Sequence, residues 1–182
     1  MSKRAVVVVD LQNEYLPSGK LALVGIEPAL ANAARVIADA RAKGDRVIHV
    51  RHEATAADAP FFTPGSTGVQ IHESVAPEQG EPVIVKNYPN SFLKTDLKQM
   101  LDSEAVEHVS IVGAMSHMCI DATTRAASDF GYKATVVHDA CATRDLEFQG
   151  QKVPAAQVHA ALMSALGFAY ATVVTTDEYL AG

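Results

Sequence analysis

Short runs of β-branched residues alternate with helical patterns from one end of this 182-residue chain to the other. Ala5 to Val9 is a continuous apolar run, which is typical of a strand buried on both faces of a sheet. Regular alternation of strand and helix favours right-handed crossovers and a mainly parallel sheet with helices on both faces. We therefore predict an α/β protein with a three-layer α/β/α Rossmann-like fold, a sheet of roughly six strands, and a single domain over residues 1–182.

The bounds of the other elements follow from apolar periodicity and from proline and glycine near their ends. Further strands are expected at 46–51, 82–86, 108–112, 133–138 and 171–175. Helices are expected at 28–43, 95–101, 119–130 and 155–166, the last two closed by Gly131 and Gly167. Residues 53–81 are rich in proline and glycine and predict a long irregular excursion. Long loops in compact domains are commonly functional.

Charge and composition exclude several classes of protein. The chain has 15 Lys and Arg against 21 Asp and Glu, a net charge of −6, so it lacks the basic face that nucleic-acid binding needs. No segment approaches the roughly 20 apolar residues that span a bilayer, and the run 5–9 is too short for an export signal. Two cysteines are too few for a disulfide framework. We expect a cytoplasmic protein with reduced thiols and a small-molecule ligand, without nucleic-acid or membrane partners.

Three reactive side chains follow three of the expected strands. Asp10 ends the first strand, Lys86 ends the third, and Cys119 follows the fourth at a sharp turn into a helix. Ligands of open parallel sheets bind at the carboxyl ends of the strands, so these residues should share one rim, and they are close in space if their strands lie near the centre. Taken singly, each has a structural interpretation, as a turn cap, a solvated strand end or a core residue.

Together, these three residues have the composition of a cysteine nucleophile site. Such a site needs a proton acceptor, a positive charge that lowers the thiol pKa, and donors for an oxyanion. Asp10 can accept the proton and Lys86 can supply the charge. The backbone N–H groups of Met115 and Cys119 are candidate oxyanion donors, since Cys119 is expected near a helix N-terminus.

Several sequence blocks around these residues occur in a characteristic order. They are Val7-Val8-Val9-Asp10-Leu11-Gln12-Asn13, the Pro64-Gly65-Ser66-Thr67-Gly68 segment, Val83-Ile84-Val85-Lys86, and Gly113 through Cys119. The chain resembles the isochorismatase-like cysteine hydrolases, which include nicotinamidases and N-carbamoylsarcosine amidases, and the resemblance covers nearly the whole chain. It implies that Asp10, Lys86 and Cys119 are a catalytic triad, and that a thioester acyl-enzyme forms. It also implies a cis peptide between Ala114 and Met115, no cofactor, and a homo-oligomer, either dimer or tetramer.

Departures from the family pattern narrow the expected function. Nicotinamidases carry an Asp-x-His metal-binding pair where this chain has Arg51-His52-Glu53, and isochorismate-cleaving members usually lack the cysteine. A metal bound by His49, His52, Glu53 and His72 is a disfavoured possibility, because their spacing is not that of ligands. We expect a metal-free hydrolase that cleaves a C–N bond in a small amide, ureide or lactam. The alternatives are a metal-assisted nicotinamidase-like enzyme, an enol-ether hydrolase, and a catalytically silent binding or oligomerisation module.

The substrate pocket is expected on the loops that follow the strand ends. His117, two residues before Cys119, could contact substrate, assist proton transfer, or face a subunit interface. The predicted lining residues are Gln12, Tyr15, Phe61, Phe62, Tyr88, Phe92 and His117.

Overall fold

The computed structural model describes residues 3–182. Its strands are β1 (Lys3–Val9), β2 (Arg46–His52), β3 (Val83–Lys86), β4 (Val106–Ala114), β5 (Lys133–Ala142), β6 (Leu146–Phe148), β7 (Gln151–Val153) and β8 (Ala171–Val174). Its helices are α1 (Ile26–Lys43), α2 (Leu97–Ser103), α3 (Asp121–Asp129), α4 (Ala155–Ala169) and α5 (Thr176–Ala181). Strand and helix alternate along most of the chain, as the apolar periodicity predicts.

Six strands form one parallel sheet in the order β3-β2-β1-β4-β5-β8. The strand β1 lies between β2 and β4, so Val9 pairs with Val50 on one side and with Gly113 on the other. The predicted parallel sheet is therefore confirmed. The strands β1 and β4 lie near the centre, whereas β3 is an edge strand that pairs with β2.

Helices cover both faces of the sheet and create two separate apolar layers. Alternate residues of β1 serve the two layers: Val7 and Val9 face α2, α3 and α4, whereas Val6 and Val8 face α1. This explains why the first strand is a continuous apolar run and not an alternating one. The arrangement is the predicted three-layer α/β/α fold. Within residues 3–182, no helix has the length and apolar character needed to cross a membrane.

All four predicted helices differ from their predicted bounds by up to three residues, and two of these differences, at Gly167 and at Cys119, have a structural reason. Gly167 does not end α4, which continues to Ala169, because no left-handed turn forms there and an added Cβ would meet only a side-chain methyl group at 3.5 Å. The helix expected from Cys119 begins instead with a π-helical turn over Ser116–Ile120 and continues as α3.

A short β-hairpin and a C-terminal helix were not predicted. The strands β6 and β7 pair antiparallel around Gln149-Gly150, both with positive φ. Each strand has only three residues, and Gln-Gly is a weaker signal for this turn than Asn-Gly or Asp-Gly. The helix α5 begins at a capping box in which Thr175 and Glu178 bond each other's backbone N–H. The excursion after β2 contains one 3₁₀ turn at Glu73–Val75.

Candidate active site

The side chains of Asp10, Lys86 and Cys119 meet at the carboxyl end of the sheet. The Nζ atom of Lys86 lies 2.7 Å from Oδ2 of Asp10 and 3.3 Å from Sγ of Cys119. Asp10 and Lys86 are 0% and 1% exposed, and Cys119 is 5% exposed. The three residues predicted from strand ends are thus brought together, and the ammonium group contacts both the carboxylate and the thiol.

Lys86 reaches this position from the edge of the sheet. Its strand is separated from β1 by β2, so the lysine side chain must pass the end of β2 to meet Asp10. His52 is the last residue of β2 and pairs in register with Lys86. The Nδ1 atom of His52 lies 3.1 Å from the lysine Nζ, which gives the ammonium a third neighbour.

Close approach of β1 and β4 places Asp10 beside the turn that carries Cys119. Gly113 has φ of 133°, and a Cβ there would lie 1.9 Å from the carbonyl oxygen of Val9. Only glycine allows this contact without displacing backbone. Asp10 itself has φ of 53°, a left-handed conformation that aspartate tolerates better than most residues. Its N–H donates to the carbonyl of Val50 at 2.9 Å, which ties it to β2.

The turn that carries the thiol begins at a cis peptide bond between Ala114 and Met115. The N–H groups of Met118 and Ile120 both donate to the carbonyl of Met115, which closes the π-helical turn. Cys119 lies within this turn. The predicted oxyanion donors are the N–H groups of Met115 and Cys119. Both residues line a cavity next to the site, which is described below.

The electrostatics of the site differ from the expectation of a thiol with a lowered pKa. Burial and the charge of Asp10 raise the pKa of Cys119, and the charge of Lys86 only partly opposes them. Burial disfavours the ammonium form of Lys86, but Asp10 and Cys119 outweigh burial and raise the lysine pKa. In the free protein Cys119 is therefore a thiol beside a protonated lysine.

A cavity of about 470 Å³ opens onto Cys119. It contains four of the predicted lining residues, Tyr15, Phe61, Phe62 and His117. The ring of Phe62 packs edge-on against those of Tyr15 and Phe61, so the aromatic wall is continuous. The other lining residues are Leu21, His52, Pro89, Met115, Met118, Arg144, Asp145, Leu146 and Glu147.

Gln12, Tyr88 and Phe92, also predicted to line the pocket, do not line this cavity. Gln12 is 1% exposed, and its amide bonds to backbone groups of His52 and Val69. Phe92 packs against Phe130 and Tyr132 and belongs to the apolar layer under α2, α3 and α4. Tyr88 is partly exposed beneath the ammonium group of Lys94. Position after a strand end was insufficient to separate wall residues from packing residues.

Sequence reasoning missed the wall contributed by residues 144–147. Arg144 and Asp145 join β5 to the hairpin, and Leu146 and Glu147 belong to its first strand, β6, which is too short for apolar patterning. It also assigned His52 only to a metal site and did not place it beside Lys86. The one available signal was its position at the end of β2, next to the strand that carries the lysine.

The suggested metal-binding set does not come together. His49 is buried against Glu81 at 3.0 Å, and the Nδ1 atom of His72 faces the hydroxyl of Ser74 at 2.8 Å. Among residues 3–182, ligand atoms of Asp10, His52 and Cys119 do lie within 4.8 Å of one another. All three contact the Lys86 ammonium, which already occupies the position a cation would take.

The side chain of His117 hydrogen-bonds within this chain, at the cavity wall. Its Nδ1 atom lies 2.6 Å from the hydroxyl of Thr143, and burial and the nearby charge of Arg144 lower its pKa. The imidazole is therefore a neutral group on the cavity wall.

Residues 4–178 match the isochorismatase domain, and the chain belongs to the isochorismatase family of hydrolases. It is 49% identical over 176 residues to the isochorismatase family protein YddQ of Bacillus subtilis, covering 97% of this chain and 98% of that protein. A crystal structure from Oleispira antarctica assigned to the isochorismatase hydrolases superposes with a TM-score of 0.96 at 55% identity, covering 100% and 97% of the two chains. The N-carbamoylsarcosine amidase of Thermoplasma acidophilum superposes with a TM-score of 0.82 at 26% identity, covering 96% and 97%.

Proposed function

We propose that this hydrolase cleaves a C–N bond in a small amide, ureide or lactam through a thioester on Cys119. The observation that carries the proposal is the Lys86 ammonium, 2.7 Å from the carboxylate of Asp10 and 3.3 Å from the thiol of Cys119. A thiol, a carboxylate base and a fixed positive charge are the parts that nucleophilic cysteine catalysis needs. Structural similarity to an N-carbamoylsarcosine amidase supports a C–N bond as the target.

In the first half of the proposed reaction, Asp10 accepts the thiol proton as Cys119 Sγ attacks the substrate carbonyl carbon. The N–H groups of Met115 and Cys119 stabilise the resulting oxyanion. The tetrahedral intermediate collapses, the C–N bond breaks, and the nitrogen leaves with the proton returned by Asp10. Lys86 stays protonated throughout, which stabilises first the thiolate and then the carboxylate.

In the second half, Asp10 removes a proton from water, and the hydroxide attacks the thioester carbonyl. The C–S bond breaks, the carboxylic acid leaves, and the proton held by Asp10 returns to the sulfur. This route needs no added cofactor, because the lysine supplies the only fixed positive charge that it uses.

The size of the cavity favours a small substrate. About 470 Å³ lies within the range of small-molecule sites, and its wall combines aromatic rings with Arg144, Asp145 and Glu147. A small planar amide or ureide fits between aromatic rings, while the charged residues can select its polar substituents.

A panel of small amides, ureides and lactams, assayed for ammonia or amine release, tests the proposal. Cys119→Ala should reduce turnover to background. Cys141→Ala is the matched control, because Cys141 is also a buried free thiol but does not line the cavity. Cys141→Ala should retain activity within about twofold, because the Cys141 side chain is outside the cavity and independent sites affect each other little. Rapid-quench mass spectrometry should show an acyl adduct on wild type.

Turnover that survives Cys119→Ala would refute the covalent route. Turnover that needs an added divalent cation in the purified wild type would favour the metal-assisted alternative. A wild type that hydrolyses neither C–N bonds nor an enol ether would favour the silent module.

We also propose a cytoplasmic location and a homo-oligomer. Two free thiols, Cys119 and Cys141, suit a reducing compartment. Residues 155–169 contain no Asp, Glu, Lys or Arg, and Phe168 on this helix is 92% exposed. An uncharged helix with an exposed aromatic ring suits contact with a second copy. Light scattering of wild type and Phe168→Glu tests this, since the charge should weaken such an interface.

A further inference from the structure

His52 completes the set of acceptors around the Lys86 ammonium. A protonated lysine has three N–H donors and no acceptor. In this site the ammonium hydrogen-bonds Nδ1 of His52 at 3.1 Å and Sγ of Cys119 at 3.3 Å, and it forms an ion pair with Oδ2 of Asp10 at 2.7 Å. Lys86 is 1% exposed, so water is not freely available to replace a missing partner.

The backbone and ring of His52 are themselves fixed. Its N–H donates to Oε1 of Gln12 at 2.9 Å, and its carbonyl accepts from Nε2 of the same side chain at 2.9 Å. The imidazole ring packs against Phe62 with a centroid distance of 5.1 Å. The position of Nδ1 is therefore determined by β2, by Gln12 and by the aromatic wall, and not by the lysine alone.

The contact requires a neutral imidazole. Since the ammonium can only donate, Nδ1 of His52 must carry a lone pair and Nε2 must carry the hydrogen. Burial and the positive charge of Lys86 both lower the pKa of His52, which favours the neutral ring at neutral pH. A neutral acceptor holds the ammonium without adding a charge that would compete with Asp10 or the thiolate.

We propose that His52 is a positioning residue that keeps the Lys86 ammonium in contact with both Asp10 and Cys119. The lysine side chain extends to the site from the edge strand β3. With Asp10 and Cys119 as its only partners, the ammonium would be free to move toward the carboxylate and away from the sulfur. The third acceptor prevents that movement. This inference rests on the proposed function, because it concerns how the nucleophile is activated.

Two variants separate the acceptor from the ring. His52→Phe keeps a ring beside Phe62 and removes the acceptor, whereas His52→Asn loses the ring but keeps Oδ1 where Nδ1 lies. The measurement is the rate of alkylation of Cys119 by iodoacetamide at pH 8, followed by peptide mass spectrometry with Cys141 as an internal reference. This measurement needs no knowledge of the natural substrate. Thermal unfolding of each variant reports stability.

We expect His52→Phe to slow Cys119 alkylation about tenfold, the loss expected for one hydrogen bond to a charged group, and His52→Asn to stay within about threefold of wild type. Hydrolysis of any substrate found should follow the same order in kcat. Equal rates in wild type and His52→Phe would overturn the positioning role. A slower alkylation of Cys119 in His52→Asn than in His52→Phe, together with a lower unfolding temperature, would also overturn the positioning role and show that the ring acts by packing. Wild-type Cys119 that reacts no faster than Cys141 would instead contradict the proposed function.

Discussion

Replacing Gln12 by alanine tests whether this side chain holds the rim of the site together. Its Nε2 donates to the carbonyl of Val69 at 2.8 Å and to that of His52 at 2.9 Å, and its Oε1 accepts from the N–H of His52 at 2.9 Å. The amide thus joins the end of β1 to the end of β2 and to the excursion that follows. Gln12→Ala removes all three bonds at once.

The magnitude follows from burial. The bond to Val69 is fully buried, so its unpaired carbonyl should cost about 1 to 3 kcal/mol, and each partly buried bond to His52 should cost about 1 kcal/mol. The total is roughly 3 to 5 kcal/mol. For a chain of 182 residues this corresponds to a fall in Tm of about 10 °C, since each kcal/mol lowers Tm by roughly 2 to 4 °C.

Urea unfolding and thermal scans of three variants provide the assay. Asn13→Ala is the matched control, because the amide of Asn13 makes one exposed bond to the Thr67 carbonyl at 3.3 Å. It should change the free energy of unfolding by less than about 0.5 kcal/mol. Gln12→Glu should destabilise as much as Gln12→Ala, because a carboxylate oxygen would face two carbonyl oxygens. A free energy of unfolding for Gln12→Ala within about 1 kcal/mol of the Asn13→Ala value would refute this reasoning.

Two further perturbations have clear directions. Gly113→Ala should prevent folding or cost several kcal/mol in urea unfolding, because the added Cβ would lie 1.9 Å from the Val9 carbonyl oxygen. Gly167→Ala on α4 is the control and should be neutral or stabilising by up to about 1 kcal/mol. Similar free energies of unfolding for the two variants would contradict the close approach of β1 and β4. Hydrogen bonding by Arg41 lowers the pKa of Glu81 from 4.5 to about 2, so the stabilisation by this carboxylate is full above pH 4.5 and is lost as pH falls toward 2. Wild type should therefore be more stable than Glu81→Gln at pH 7, and urea unfolding at stepwise lower pH should show that difference closing; a constant difference would show that Glu81 does not titrate as described.

The parts of the fold that could be predicted are those with strong local patterns. The sequence predicts β1 and α1 close to their observed bounds. Burial of β1 on both faces requires a continuous apolar run, and burial of α1 on one stripe requires apolar residues at helical spacing. The order of the strands in the sheet produces no local sequence pattern, since it depends on crossover connections between distant segments. For that reason the edge position of β3 could not be predicted.

The same distinction separates the parts of the site. Asp10, Lys86 and Cys119 could be grouped because the rule for parallel sheets needs only strand ends, and it holds wherever in the sheet the strands lie. Gln12 could not be recognised as a packing residue, because its partners are backbone groups from segments distant in sequence. The arrangement of residues 144–147 on the wall depends on a hairpin whose strands are too short to pattern.

The location of Lys86 on an edge strand has a consequence for how the protein loses activity. The strand β3 has four residues and pairs along one side only, and its Val83 and Val85 are 41% and 44% exposed. Such a segment is expected to open locally at lower free energy cost than the central strands. Each opening event would withdraw the ammonium while the rest of the sheet stayed folded. Inactivation on warming should then precede global unfolding, and amide hydrogen exchange should be faster in β3 than in β1 or β4.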